Sequence, residues 1–341
     1  MRAHEFQRIG EVLRDHSGAV LGENTMAAVA VKLGPVLTEF DFPSMTHLTM
    51  ALSQPDSGRL RQRVAEAVAV PESYFFRNKD CFAYIGDVML PQLMERRAGV
   101  RRLRIWSAAC STGQEPYSLA MLLAEKGRAL DGWSVEIVAT DFSQAVLGKA
   151  QAGQYSQFEV QRGLPVKLLI KYFEKFGPLW QVKSEIRERV DFRAQNLLHS
   201  YAQLGRFDII LCRNVLIYLG ADQRTSVLGQ LARSLAPDGY LVLGAAETTL
   251  GVSTEFQRVS GQLGGVYRLG AGYGAEGVKA DRLADMDRAP AGAFRSVRLD
   301  PVTADRLEAK ARACGMTLSA FLAEFADLGL RTERASGPKK D

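Results

Sequence analysis

Three positions in this chain stand where an apolar run gives way to polar side chains, and their residue types narrow the chemistry. Ser111, Thr112, Gly113 and Glu115 follow RIWSAA, Asp141 closes SVEIVATD, and Arg213 and Asn214 follow FDIILC. In an open α/β sheet, ligands sit beyond the carboxyl ends of the strands, so such residues face a ligand. The first turn, within RIWSAACSTGQEPYSLA (104–120), has the small residues and glycine of a nucleotide turn. It lacks the three glycines of a dinucleotide fingerprint, and Glu115 stands where a pyrophosphate needs amides. Two carboxylates at the mouth suit a ligand that offers hydroxyls or positive charge, and they oppose a pyrophosphate. Asp141 can accept from both hydroxyls of a ribose. In dinucleotide folds that acid comes roughly 20 residues after the glycine turn; the longer helix between Gly113 and Asp141 counts against NAD. Glu115 has a second reading, in which it only opens a helix and offsets its dipole, for roughly 0.3–1 kcal/mol.

The elements that must position these residues follow from periodicity. Up to about residue 70 the apolar spacing is helical, as at Phe6, Ile9 and Leu13, which predicts an all-α N-terminal domain over 1–70. From Arg104 buried strands alternate with helices: RIWSAA, a helix in EPYSLAMLLAEKG, SVEIVATD, a helix through Val146, FDIILCRNV, a helix from about Thr225 to Leu235, a PDG turn, YLVLGA and a closing GVYRL. Such alternation predicts a mostly parallel, doubly wound sheet over 71–270, covered on both faces. PLWQVKSEIRERVDF (178–192) alternates apolar and charged residues instead, which predicts a small antiparallel β insertion, placed at about 156–194. Residues 271–293 read as a linker, and 294–332 as a small β-α-α unit in which Asp300 caps a helix, Pro301 opens it and Gly315 ends it.

Composition sets the outer bounds. The chain has 341 residues, 47% of them hydrophobic and 24% charged, as in a globular protein with room for two domains. The net charge of +5 is too small to argue for nucleic acid. Arginines cluster at 59, 61, 63, 96, 97, 101, 102 and 104, either as a solvated face or as a surface that steers an acidic partner. Cys81, Cys110, Cys212 and Cys314 are far apart, which argues for reduced thiols and against a zinc site. No run reaches the roughly 18 apolar residues of a membrane span, and the start has no hydrophobic signal core, so a cytoplasmic protein without membrane insertion is expected.

A sulfonium cofactor, S-adenosylmethionine, satisfies these features: ribose for Asp141, cationic centres for acidic surroundings, and no phosphate. ESYFFR (72–77), WSAACSTGQEPYSLAM, ATDFS, QNLL, FDIILCRNVLIYL and LGAAE occur in that order, and together they resemble the CheR family, S-adenosylmethionine-dependent methyltransferases that esterify glutamates on chemotaxis receptors. The resemblance covers roughly the first 270 residues. It implies an N-terminal helical domain and a Rossmann-like catalytic domain carrying a small β-subdomain. It also implies that Ser73, Arg77, Glu115, Asp141, Asn196, Leu197, Arg213 and Asn214 contact the cofactor and that Tyr218 stands at the reacting centre; Arg77 and Tyr218 are the catalytic candidates, expected to hold the substrate carboxylate or the cofactor in line. The chain departs from the family's frequent residues at Pro71, Ser73 and Gln114, which bears on cofactor affinity more than on fold. Phe75, Phe76, Trp106 and Trp133 read as core, and His47 and His199 receive no function.

The implied partner is the cytoplasmic helical region of methyl-accepting chemotaxis receptors. Family members tethered to a receptor peptide carry a longer, glycine-bearing loop in the β-subdomain; EKFGPLWQV is short, so the tether-independent type is expected. Lys32 and the arginines at 59, 61 and 63 are candidates for docking acidic receptor helices. The last unit resembles a ribbon-helix-helix module, which implies a homodimer through FRSVRL; a helical hairpin packed on the catalytic domain is the alternative. Few basic residues surround it beyond Arg331, Arg334, Lys339 and Lys340, which argues against DNA binding. A non-catalytic sensor or scaffold that binds S-adenosylmethionine or S-adenosylhomocysteine and signals through the C-terminal unit is the second functional reading.

Overall fold

The computed structural model describes residues 1–22, 25–69, 72–259 and 265–270. Pro71, the linker at 271–293 and the β-α-α unit at 294–332 lie outside them. Four helices open the chain: α1 (Ala3–Ser17), α2 (Met26–Glu39), α3 (Met45–Ala51) and α4 (Gly58–Val68). Ile9, Leu13, Val29, Leu33, Leu48 and Val64 recur at helical spacing and bury their side chains in one cluster between them. Phe142, the residue after Asp141, packs against this cluster, so the helices are fastened to the sheet beside the candidate site. Short helices α5 (Lys79–Tyr84) and α6 (Leu90–Arg96) follow, joined by a π-helical turn.

The chain then lays down β1 (Arg102–Ala108), α7 (Gln114–Lys126), β2 (Ser134–Asp141) and α8 (Gln144–Ala152). An insertion contributes β3 (Gln154–Tyr155), α9 (Gln157–Gln161), α10 (Val166–Tyr172), β4 (Phe173–Phe176), β5 (Leu179–Val182) and α11 (Ser184–Arg187). The core resumes with β6 (Val190–Ala194), β7 (Phe207–Cys212), α12 (Ala221–Ser234), β8 (Leu235–Leu243), β9 (Phe256–Arg258) and β10 (Gly265–Leu269). Among the described residues the main sheet has seven strands in the order β6-β2-β1-β7-β8-β10-β9. It is parallel from β6 to β8, with β10 and β9 antiparallel at one edge. The mixed α/β, doubly wound architecture matches the sequence reading.

Successive side chains of a strand point to opposite faces. Ile105 and Ile209 enter the layer that holds Tyr117 and Met121 of α7, and Trp106 and Ile210 enter the layer that holds Leu228 and Leu231 of α12. The chain leaves β1 toward β2 and β6, then returns to build β7 and β8 on the other side. The strand order therefore reverses between β1 and β7, and the crevice beyond their carboxyl ends is the expected ligand site.

Three local readings change. Only the first part of 178–192 is antiparallel: β5 pairs with β3 and β4, whereas β6 joins the main sheet parallel to β2. The PDG sequence does not separate a helix from a strand but forms a bulge inside β8, whose register against β7 jumps between Phe207 and Ile209. The three-residue β9 was not anticipated.

One glycine of the insertion makes a testable contact. Gly163 has φ +85°, and a Cβ there would lie 2.0 Å from the carbonyl oxygen of Phe75. Gly163→Ala is expected to lose about 3 kcal/mol, from a left-handed alanine plus overpacking against backbone; a urea midpoint within error of wild type would refute this.

Candidate active site

Beyond the carboxyl ends of β1, β2 and β7, and covered by residues of α1, α2 and the stretch between them, lies a cavity of about 350 Å³. That volume suits a small-molecule ligand. Ser73, Arg77, Glu115, Asp141 and Asn196 line it, as do Leu197, Arg213, Asn214 and Tyr218. The structure thus brings the nine residues implied by the resemblance to one cavity. Thr112 and Gly113 are not among the lining residues; the Thr112 hydroxyl donates to the Gln114 side chain and its carbonyl accepts from Tyr155.

The turn after β1 explains what the site excludes. Ala109, Ser111 and Gly113 all have positive φ, at +55°, +50° and +92°. Alternating backbone of this kind makes a nest of amides that commonly holds an anion. Here the amides are engaged internally. Cys110 N–H donates to Thr140 O at 2.8 Å, Gly113 N–H to Cys110 O at 3.1 Å, and Ser111 N–H to Asp141 Oδ2 at 2.9 Å. The protein's own carboxylate occupies the place a phosphate would take.

Asp141 is 8% exposed, and its Oδ1 accepts from Ser143 N–H at 3.0 Å. Burial raises its pKa above the ordinary aspartate value, against the opposing amides of Ser143, Ser111 and Phe142. Each oxygen keeps a lone pair for a ligand hydroxyl. Affinity for a ligand that donates to Asp141 should therefore be full at neutral pH and fall as pH drops through this raised pKa, because the protonated form is the poorer acceptor. Calorimetric titration with S-adenosylhomocysteine at successively lower pH should show that fall in wild type and not in Asp141→Asn; a parallel fall in both would remove Asp141 as its cause.

Glu115 takes a role that neither sequence reading gave it. Its Oε2 accepts from Arg213 Nη1 at 2.9 Å and its Oε1 from the Ser107 hydroxyl at 2.8 Å. The Arg213 side chain is 2% exposed and that of Glu115 is 13%. Burial works against the Arg213 charge, but the adjacent carboxylate more than offsets it, and the net shift is upward. Arg213 Nη2 also donates to Arg77 O at 2.8 Å and Asn78 Oδ1 at 3.0 Å. The pair joins the ends of β1 and β7, the first turn of α7 and the chain at Arg77.

The other candidates differ in how free they are. Asn196 is engaged at both ends, donating to His16 O at 2.5 Å and accepting from Leu198 N–H at 2.9 Å. Arg77 donates to Glu72 O at 3.1 Å, with its guanidinium 5.3 Å from the centre of the Tyr74 ring. Tyr218 is 36% exposed, and its backbone carbonyl accepts from Val20 N–H at 2.8 Å. Burial pushes the Cys110 thiol well above its usual pKa, which removes it as a nucleophile near neutral pH.

Two further residues matter. The Ser111 hydroxyl is buried, lines the cavity and has no partner among the described residues, so a hydrogen-bonding ligand suits it. Glu247 lies behind the Asn214 backbone, which donates to it at 2.7 Å; the LGAAE motif was its one signal in the sequence.

Three of the four candidate docking residues are engaged within the protein. Lys32 bonds the carbonyls of Val68 and Ala69, Arg61 bonds Leu52 O and Ser57, and Arg63 pairs with Glu39 and Glu66. Arg96 and Arg97 pair with Asp238, Arg97 also with Asp208, and Arg102 and Arg104 pair with Glu136. Most of the arginine run therefore serves internal ion pairs.

A doubly wound sheet, a buried aspartate at the end of its second strand and a turn closed to phosphate define an S-adenosylmethionine-dependent methyltransferase. The residues fit that cofactor: an acceptor for ribose hydroxyls at Asp141, an unpaired hydroxyl at Ser111, and apolar walls at Phe142 and Leu197. A family model described as "CheR methyltransferase, SAM binding domain" matches residues 71–264. The chain is 40% identical over 268 residues to chemotaxis protein methyltransferase 1 of Pseudomonas aeruginosa, covering 77% of this chain and 97% of that one. It is 38% identical to chemotaxis protein methyltransferase Cher2 of Pseudomonas putida, with the same coverage, and 38% identical to chemotaxis protein methyltransferase 1 of Vibrio cholerae, covering 78% and 96%. The chain belongs to the CheR methyltransferase family. Among the described residues no helix is long and apolar enough to cross a membrane.

Proposed function

We propose that this methyltransferase esterifies glutamate side chains in the cytoplasmic helical region of methyl-accepting chemotaxis receptors, without a receptor tether. The observation that carries the reading is that Arg77 and Tyr218 line the same cavity as Asp141. When bound, the cofactor supplies an electrophilic methyl group on sulfur. A glutamate side chain has a pKa of about 4.3 in water, so at neutral pH the nucleophile is already a carboxylate and the site needs no general base. Its oxygen forms the new bond to the methyl carbon as the carbon–sulfur bond breaks, which leaves a neutral ester and a thioether. The residues must therefore align rather than activate. Arg77 and Tyr218 hold the acceptor carboxylate in line, and Asp141 holds the ribose. An arginine beside a carboxylate lowers its nucleophilicity, but alignment alone can supply up to roughly 7–11 kcal/mol of the barrier.

Two features support the finer points. β4 and β5 are joined by Gly177 and Pro178 alone, which leaves the β-subdomain without the longer loop of tethered members. The similar proteins named above are called chemotaxis protein methyltransferases. The test is base-labile methyl transfer to a purified receptor cytoplasmic fragment. Wild type should transfer equally well to a fragment trimmed at its C-terminus, and Arg77→Ala should lower the rate about 100-fold, the scale of losing one alignment contact. Absence of transfer by wild type would overturn the substrate assignment, and dependence on the receptor terminus would overturn tether independence.

A further inference from the structure

We propose that Glu247 is a positioning residue whose buried carboxylate sets the shape of the segment that presents Asn214 and Tyr218 to the cavity. The segment leaves β7 after Cys212, and Asn214 adopts φ +59°, a left-handed conformation that asparagine tolerates. The following turn, Leu216–Tyr218, is a single 3-10 turn, too short to satisfy its leading amides internally. Glu247 satisfies them. Its Oε2 accepts from Asn214 N–H at 2.7 Å and Gly244 N–H at 2.6 Å. Its Oε1 accepts from Val215 N–H at 2.9 Å and Leu216 N–H at 2.8 Å, with Ile217 N–H further off at 3.4 Å.

The surroundings are built around that carboxylate. Glu247 is 7% exposed, and a Cβ on Gly244 would stand 2.6 Å from its Oε2 and 2.8 Å from the Asn214 side-chain nitrogen, so only glycine leaves room. The same segment is also tied to the N-terminal region: Tyr218 O accepts from Val20 N–H, and Gly220 N–H donates to Gly18 O at 3.1 Å. Glu247 itself does not line the cavity. Any effect it has on ligand or reaction must pass through the segment. Glutamine has nearly the same shape but offers one acceptor oxygen and turns an NH2 toward backbone donors, so it cannot keep both sets of bonds.

The inference rests on the proposed roles of Asn214 and Tyr218, and two readouts separate its failure from failure of the substrate assignment. In calorimetry with S-adenosylhomocysteine on the full chain, Glu247→Gln should bind at unit stoichiometry at least tenfold more weakly. In an Asn214→Ala background the same change should cost less than threefold, because the contact it positions is already gone. In methyl transfer, Glu247→Gln should lower kcat at least tenfold with a smaller effect on KM for the receptor fragment, and should add little to Tyr218→Phe. Should Glu247→Gln fail to fold, Glu247→Asp keeps both oxygens but withdraws them by one methylene and should show the same coupling to Asn214→Ala. Wild-type affinity in a folded Glu247 variant, or additive losses in the calorimetric cycle, would overturn the proposal. A wild-type protein that binds S-adenosylhomocysteine but methylates no receptor fragment would sink the substrate assignment alone and leave the calorimetric cycle to decide this one.

Discussion

Asp141→Ala is expected to weaken S-adenosylhomocysteine binding by about 100-fold, since two hydrogen bonds from hydroxyls to a carboxylate contribute about 1.5–3 kcal/mol each and the truncated site recovers part of that from water. The substitution also frees the amides of Ser111 and Ser143, which donate to this carboxylate at 2.9 and 3.0 Å. The two freed donors would then offer a weak anion site, while the Cys110 and Gly113 amides stay bonded to backbone carbonyls. The variant should accordingly gain weak, salt-sensitive affinity for pyrophosphate that wild type lacks. Titration of both proteins with S-adenosylhomocysteine and with pyrophosphate gives the check. A loss below about threefold, less than one ordinary hydrogen bond, would remove Asp141 from the binding site.

The second large effect concerns stability. Glu115→Ala strands the guanidinium of Arg213, a side chain 2% exposed, without its counter-charge. Removing one partner of a buried ion pair costs about 3–5 kcal/mol, while replacing both by apolar residues of similar size is often near neutral. Glu115→Ala should therefore lower the urea midpoint strongly. Glu115→Leu combined with Arg213→Met should recover much of the loss, although it would abolish activity because Arg213 also bonds the backbone of Arg77. Additive destabilisation in the double variant would show that the two charges do not depend on each other.

The parts of the site legible in the sequence are those set by local pattern. β2 and β7 are apolar runs buried on both faces, and a polar residue at the carboxyl end of a parallel strand faces the crevice by topology alone. Asp141, Arg213 and Asn214 stand at such positions. The helical spacing of Ile9 and Leu13 likewise follows from one buried face.

Long-range pairing could not be read in the same way. Arg97 meets Asp208 and Asp238 across separations of 111 and 141 residues, and Arg104 meets Glu136. In sequence these arginines form a positive run; in the fold they neutralise carboxylates at neighbouring strands. Glu115 was legible as a helix-opening acid but not as the partner of an arginine 98 positions away. Glu247 carried no local signal of its role, since a carboxylate that accepts backbone amides leaves no pattern in the residues that donate them. The edge strand β9 was missed because Gln257 and Arg258 face solvent, which leaves Phe256 as its one buried side chain.

At the centre of the site lies a nucleotide-type turn with Asp141 placed against its Ser111 amide and available to an adenosine ribose. Parallel calorimetry of the purified full chain with S-adenosylhomocysteine and with NAD tests this most directly. Saturable binding of S-adenosylhomocysteine at one per chain, and none of NAD, is expected. Tight binding of NAD with indifference to S-adenosylhomocysteine would contradict it.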